Sequence, residues 1–227
     1  LELHAREWGA EAVWAHGWSQ PMDLAAWDTA RRLRLPLLVR GDSTLDGVRG
    51  GRLRRLAHRC FHTWRLRRAS ACLAVGTQNA AFYRAYGVPE ARVFPVPYAV
   101  DNAFFQNRSK EARPARENLR RSLGLESGLP VILFCGKLIG KKDAATLIRA
   151  MGLLTADVQA RLLVVGDGEL RPALEKLTDE LLPGRARFAG FKNQSELPAL
   201  YDLCDVFVIP STYEPFGLVV NEVMNAG

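Results

Sequence analysis

The 227-residue sequence contains no run of eighteen apolar residues, so no segment reads as a membrane-spanning helix. It has no Cys-x-x-Cys pair, which argues against a thiolate zinc site. It has neither the Gly-rich, Lys-containing phosphate loop of the nucleotide triphosphatases nor a Gly-x-Ser-x-Gly nucleophile elbow. Internal repeats are absent, and the one biased stretch is the arginine-rich segment Arg49–Arg68. Cysteine is scarce: Cys60, Cys72, Cys135 and Cys204 are far apart, and the last three lie in apolar stretches. That usage fits reduced thiols of a cytoplasmic protein better than a disulfide framework.

What is present is ordinary for a folded chain, with 48% hydrophobic and 24% charged residues. The length allows one or two domains. The formal net charge of +7 calls for anionic partners, among which phosphates, nucleic acid and acidic lipid heads are all open. The chain starts at Leu1 without an initiator Met and stops at Gly227 inside a helical pattern, so the expectation is a piece of a larger protein whose domains are both incomplete.

Short apolar runs alternate with amphipathic stretches. The runs are Ala12–His16, Pro36–Arg40, Ala71–Gly76, Val93–Val96, Val131–Gly136, Arg161–Gly166, Arg187–Gly190 and Asp205–Pro210. Helices are expected near 22–34, 50–69, 78–86, 143–154, 169–181 and 196–203. Strand–helix alternation predicts parallel sheets of βαβ units, and runs such as Val131-Ile132-Leu133-Phe134 fit strands covered on both faces. Gln106–Glu117 interrupts the rhythm and reads as a linker. The expected organisation is therefore α/β, with a partial Rossmann-like domain over 1–105, a linker and entry helix over 106–129, and a second partial Rossmann-like domain over 130–227.

In the second half, each polar motif follows a predicted strand: Gly136-Lys137-Leu138 with Lys141-Lys142-Asp143, then Gly166-Asp167-Gly168, then Gly190-Phe191, then Glu214-Pro215-Phe216-Gly217-Leu218-Val219-Val220-Asn221-Glu222. Open α/β sheets bind ligands beyond the carboxyl ends of their strands, so these motifs converge on one rim. Lys137 and Lys142 bring two cations, the glycines permit close backbone approach, and the N–H groups of the helix opened by Glu214–Gly217 favour an anion. A carboxylate there suits a vicinal diol. Together these features describe a site for a diphosphate flanked by two polyols.

On these residues the chain resembles the retaining family 4 (group 1) glycosyltransferases, whose fold is the two-Rossmann-domain GT-B architecture. Glu214 and Glu222 form the Glu-x7-Glu pattern of that family, and the phrases around them look like its donor-binding domain over Val131–Gly227. The resemblance implies that Lys137, standing where the family has Arg, and Lys142 contact the diphosphate, and that Glu214 meets the sugar; these three are the candidate catalytic residues. It further implies donor contacts from Gly136, Gly168, Gly190, Phe191, Phe216, Gly217, Leu218, Val219 and Glu222, with Glu222 on the ribose and Gly190-Phe191 beside the base. Over Leu1–Phe105 the likeness is looser. Tyr98-Ala99-Val100-Asp101 replaces the family's Asn-Gly-Val-Asp, and Arg40-Gly41-Asp42-Ser43 stands where many members have His. Candidates on the acceptor side are His16, Arg40 and Asp42.

Each of these residues also has a structural reading. Gly166-Asp167-Gly168 suits any strand-to-helix turn. Arg40 and Asp42 read equally as a loop-fixing ion pair, and Asp101 as a structural residue. His58 and His62 have metal-binding i, i+4 spacing but no completing carboxylate nearby, so no metal is assigned. Arg49–Arg68 carries eight arginines with Leu53, Leu56, Cys60, Phe61 and Trp64 on a stripe. Contact with an anionic membrane or an acidic acceptor is one reading; a core-packed helix with a solvated basic face is the other. There is no Asp-x-Asp metal clamp, and no cofactor is expected beyond the donor itself.

The expectation is transfer of a sugar from a nucleoside diphosphate sugar to a hydroxyl of a glycan or lipid-linked glycan, in the cytoplasm or at the inner membrane face, without nucleic acid. Two rivals are a sugar-nucleotide epimerase on the same fold and a non-enzymatic basic module binding membrane or nucleic acid through Arg49–Arg68.

Overall fold

The computed structural model describes residues 1–45, 51–154 and 158–226, with Arg54 described by its backbone alone. Arg49 and Gly227 lie outside the described residues. The chain forms two units, Leu1–Tyr98 and Ala99–Gly227, each built on one parallel four-stranded sheet.

In the first unit the order is α1 (Glu2–Glu7), β1 (Val13–His16), α2 (Pro21–Leu33), β2 (Leu37–Gly41), α3 (Arg52–Leu66), β3 (Ala71–Ala74), α4 (Thr77–Ala85) and β4 (Val93–Pro95). The strands pair in sequence order, β1-β2-β3-β4, all parallel. Local sequence sets the boundaries of α2: Pro21 occupies its first turn, the Gln20 amide donates to Asp23 (3.1 Å), and Arg34 closes it in the left-handed region. Ala15, Val39, Cys72, Ala74, Leu66, Phe82 and Tyr86 form the core. Burial pushes the Cys72 thiol up to about 12.

The second unit runs α5 (Asn102–Ala112), α6 (Arg116–Ser122), β5 (Val131–Cys135), α7 (Ala144–Gly152), β6 (Arg161–Val165), α8 (Arg171–Leu181), β7 (Ala186–Gly190), α9 (Leu197–Asp202), β8 (Val206–Phe207) and α10 (Leu218–Met224). The strand order is β7-β6-β5-β8, again parallel. Side chains alternate between two cores. Phe134, Leu162 and Val164 face the α7–α8 side, while Leu133, Leu163 and Val165 face Phe105, Leu200 and Tyr201. This two-sided burial explains the continuous apolar runs.

Two expectations are corrected here. Gln106–Glu117 is not an irregular linker: most of it is helical and belongs to the second unit. Asp101 caps α5 by accepting from the Phe104 amide (2.9 Å), Phe105 is fully buried, and the Ser109 hydroxyl donates to Pro198 O (3.2 Å). One buried aromatic, Phe105, anchors an otherwise polar helix. Second, the stripe on α3 is not core. Leu53 is 85% and Trp64 57% exposed, with Leu56, Cys60 and Phe61 also outward. The buried face is His62, Arg65 and Leu66. Arg65 is tolerated there because its guanidinium donates to Trp18 O (3.1 Å) and lies 4.5 Å over the Trp27 ring.

Among the described residues no helix is long and apolar enough to cross a membrane.

Candidate functional site

The second sheet ends in a rim of bare backbone. Past β5, the Gly136 amide donates to Val165 O (2.9 Å), and past β6, the Gly166 amide donates to Gly190 O (2.9 Å). The ladder therefore extends beyond its strands through three glycines. Gly166 and Gly168 have φ of +131° and +159°, and a Cβ on either would lie closer than 3.0 Å to the carbonyl oxygen of Gly136 or Leu138. Their first duty is to let the β5 and β6 loops close on each other; the Leu138 amide donates to Asp167 O (2.9 Å) to complete that contact. Gly190 (φ +71°) leads to Phe191, which is 72% exposed.

The loop after β8 approaches the same rim. Its Thr212 amide donates to Lys141 O (3.0 Å), tying it to the loop after β5. Lys142 Nζ forms an ion pair with Glu214 Oε2, which also accepts from the Ser211 hydroxyl (3.1 Å). Both members of this pair are partly buried, and the residues are 72 apart in sequence, so the fold assembles the pair. Gly217 follows in the left-handed region (φ +75°) and caps α10. Leu218 and Val219 occupy the first turn, whose N–H groups have no intrahelical acceptor. Lys137 is exposed.

Glu222 sits one turn into α10. Its Oε2 accepts from the Tyr201 hydroxyl at 2.8 Å, and Cys135 Sγ lies 3.7 Å from that hydroxyl. Burial, then the Cys135 charge and the hydrogen bond to Glu222, raise the Tyr201 phenol far above its ordinary value; burial raises the Cys135 thiol to about 11. Tyr201 and Ser211 were not singled out from the sequence. The available signal for Tyr201 was the one hydroxyl-bearing side chain of α9.

The acceptor-side candidates behave differently. Arg40 Nη2 donates to Val96 O (3.0 Å) and Pro97 O (3.1 Å), and its guanidinium lies 4.3 Å over the Tyr98 ring. It ties β2 to the segment after β4 rather than pairing with Asp42, which is exposed. His16 is exposed and stacks on Trp14 at 5.4 Å. His58 and His62 lie 4.1 Å apart by ring centroid, but His58 bonds the Tyr86 hydroxyl (3.1 Å). Burial, then the charges of His58 and Arg65, lower His62 to about 4. No group of three His, Cys, Asp or Glu suited to a metal occurs among the described residues.

Two family models match the chain: Glycosyl transferases group 1 over residues 115–227, and Glycosyl transferase 4-like domain over residues 1–99. The chain belongs to the group 1 glycosyltransferases. Among relatives of this family, an uncharacterised glycosyltransferase of Methanocaldococcus jannaschii is 43% identical over 111 residues, covering 48% of this chain and 28% of that protein. The 2-deoxystreptamine glucosyltransferase of Streptomyces kanamyceticus is 33% identical over 168 residues (72% and 42%). The D-inositol 3-phosphate glycosyltransferase of Xylanimonas cellulosilytica is 30% identical over 238 residues, covering all of this chain and 56% of that protein. This group 1 chain thus spans between 28% and 56% of the length of these three relatives. Among solved structures, Anabaena HepE in complex with UDP has a TM-score of 0.76 at 20% identity, over 99% of this chain and 59% of that one. A glycosyltransferase from Rickettsia africae has a TM-score of 0.78 at 16% identity, over 99% and 58%. The fold is GT-B.

Proposed function

We propose that the protein transfers a sugar from a nucleoside diphosphate sugar to a hydroxyl of a glycan or lipid-linked glycan. The observation that carries this reading is the convergence of Lys142, Glu214 and Glu222 on one glycine-lined rim. In this reading Lys137, Lys142 and the first-turn N–H groups of α10 meet the negative charge that grows on the departing diphosphate. The acceptor oxygen bonds to the anomeric carbon as the carbon–oxygen bond to the diphosphate breaks, and the acceptor's hydroxyl proton passes to the departing diphosphate. Glu214 faces the sugar, and one oxygen of Glu222 accepts from the ribose hydroxyls. Gly136, Gly168, Gly190, Phe191 and Phe216 line the donor. HepE, a fold neighbour, was crystallised with UDP, which makes uridine diphosphate the first ligand to try.

The test is calorimetry of uridine and guanosine diphosphates and of inorganic pyrophosphate. A nucleoside diphosphate should bind saturably, and Glu222→Ala should weaken it by roughly tenfold, the scale of a charge-assisted hydrogen bond. Pyrophosphate, which has no ribose, should be unaffected by Glu222→Ala. Equal weakening of both ligands would remove the ribose assignment. Binding of polyanions alone would favour the non-enzymatic module.

The outward stripe of α3 supports a second element: docking of the first unit on an anionic membrane, at the cytoplasmic face. From Gly51 to Pro89 the chain has no acidic residue, while Leu53, Leu56, Phe61 and Trp64 are exposed among arginines. Apolar side chains would enter the headgroup boundary and guanidinium groups would meet lipid phosphates. The protein is expected to sediment with phosphatidylglycerol vesicles, to be released by raised salt, and to lose that binding in a Leu53→Ser, Trp64→Ser double variant. Equal behaviour with neutral vesicles would exclude an electrostatic dock.

A further inference from the structure

Glu222 sits on a seven-residue helix with no fully buried residue, which is a poor platform for an aimed carboxylate. Its support comes from elsewhere. Tyr201 on α9 is 2% exposed, stacks on the fully buried Phe105 of α5 (centroids 6.1 Å, planes at 29°), and donates its hydroxyl proton to Glu222 Oε2 at 2.8 Å. With that proton committed, the phenol oxygen is left to accept from the Cys135 thiol at 3.7 Å, at the last residue of β5. A relay thus runs from β5 through α9 to α10, and it occupies one oxygen of the carboxylate. Among the described residues no partner is bonded to the other oxygen. The phenol is held neutral by burial, so it acts only as a donor toward the carboxylate.

We propose that Tyr201 is the positioning residue that fixes Glu222 for recognition of a ribose diol, by clamping Oε2 so that Oε1 faces the ligand. This deepens the ribose reading of Glu222 and rests on it. Such support matters because a side chain free to rotate must be ordered on binding, whereas one already held loses less. Tyr201→Phe removes only the hydroxyl and keeps the ring packed on Phe105.

The experiment is a double-mutant cycle by calorimetry on the full-length protein, with uridine diphosphate and inorganic pyrophosphate as probes. Tyr201→Phe is expected to weaken uridine diphosphate roughly three- to tenfold, the scale of one net hydrogen bond, and to leave pyrophosphate unchanged. Added to Glu222→Ala, it is expected to cost nothing more. If Tyr201→Phe weakens the nucleotide equally in both backgrounds, or weakens pyrophosphate as well, the residue acts through general packing and the proposal is wrong. If Glu222→Ala weakens the nucleotide and Tyr201→Phe does not, the ribose reading stands and the clamp falls. If neither variant changes nucleotide binding, the ribose reading itself fails, and the clamp with it.

Discussion

Lys142→Ala is expected to weaken nucleoside diphosphate binding by roughly ten- to hundredfold, and the loss should shrink as salt rises. Two effects act in the same direction. The ammonium that would meet the diphosphate is gone, and Glu214, its ion-pair partner, becomes a carboxylate held only by the Ser211 hydroxyl beside an incoming anion. Adding Glu214→Gln to Lys142→Ala removes that repulsion, so the double variant should bind nucleoside diphosphate more tightly than Lys142→Ala alone. Calorimetry with uridine diphosphate and pyrophosphate at low and high salt measures both effects. With Lys142 on the diphosphate, as proposed, both ligands should weaken together. Unchanged affinity for both would place the diphosphate site elsewhere.

Gly166→Ala is expected to destabilise the second unit by about 3–5 kcal/mol, combining a left-handed backbone strain with a Cβ driven into a carbonyl that cannot yield. The carbonyl belongs to Gly136 on the facing loop, and the contact would be closer than 3.0 Å. Gly136→Ala is the control: its φ is ordinary, and the added Cβ meets only the Phe134 ring at 3.7 Å, an ordinary contact. It should cost less than about 1 kcal/mol. Urea unfolding of the two variants compares them directly. Equal midpoints would mean that the two loops do not need their close approach.

The sheets of this protein were legible because parallel strands buried on both faces leave unbroken apolar runs, such as Val131–Cys135 and Arg161–Val165. The rim was legible because motifs that follow parallel strands must meet at one end of the sheet. Three features were not. Helix α5 is polar over most of its length, and a single aromatic, Phe105, decides where it lies. On α3 the periodicity marks two faces but not which one meets solvent; Arg65 goes inward because Trp18 and Trp27 offer it a carbonyl and a ring face. The Lys142–Glu214 and Tyr201–Glu222 contacts join residues 72 and 21 positions apart, and neither has a spacing signature. The glycines were read for closeness to a ligand, whereas Gly166 and Gly168 are first required by the backbone facing them.

The arginines of α3 also govern how the molecule behaves in free solution. Residues 52–68 hold seven arginines and no acid, so the remainder of the chain has 31 − 7 = 24 basic against 24 acidic residues. The whole net charge of +7 therefore resides in one segment of seventeen residues. Were that segment neutralised against a polyanionic surface, the rest of the protein would sit at its own isoelectric condition near neutral pH. Mutual repulsion between copies would then vanish where they are most concentrated, favouring lateral crowding on the surface over return to the bulk.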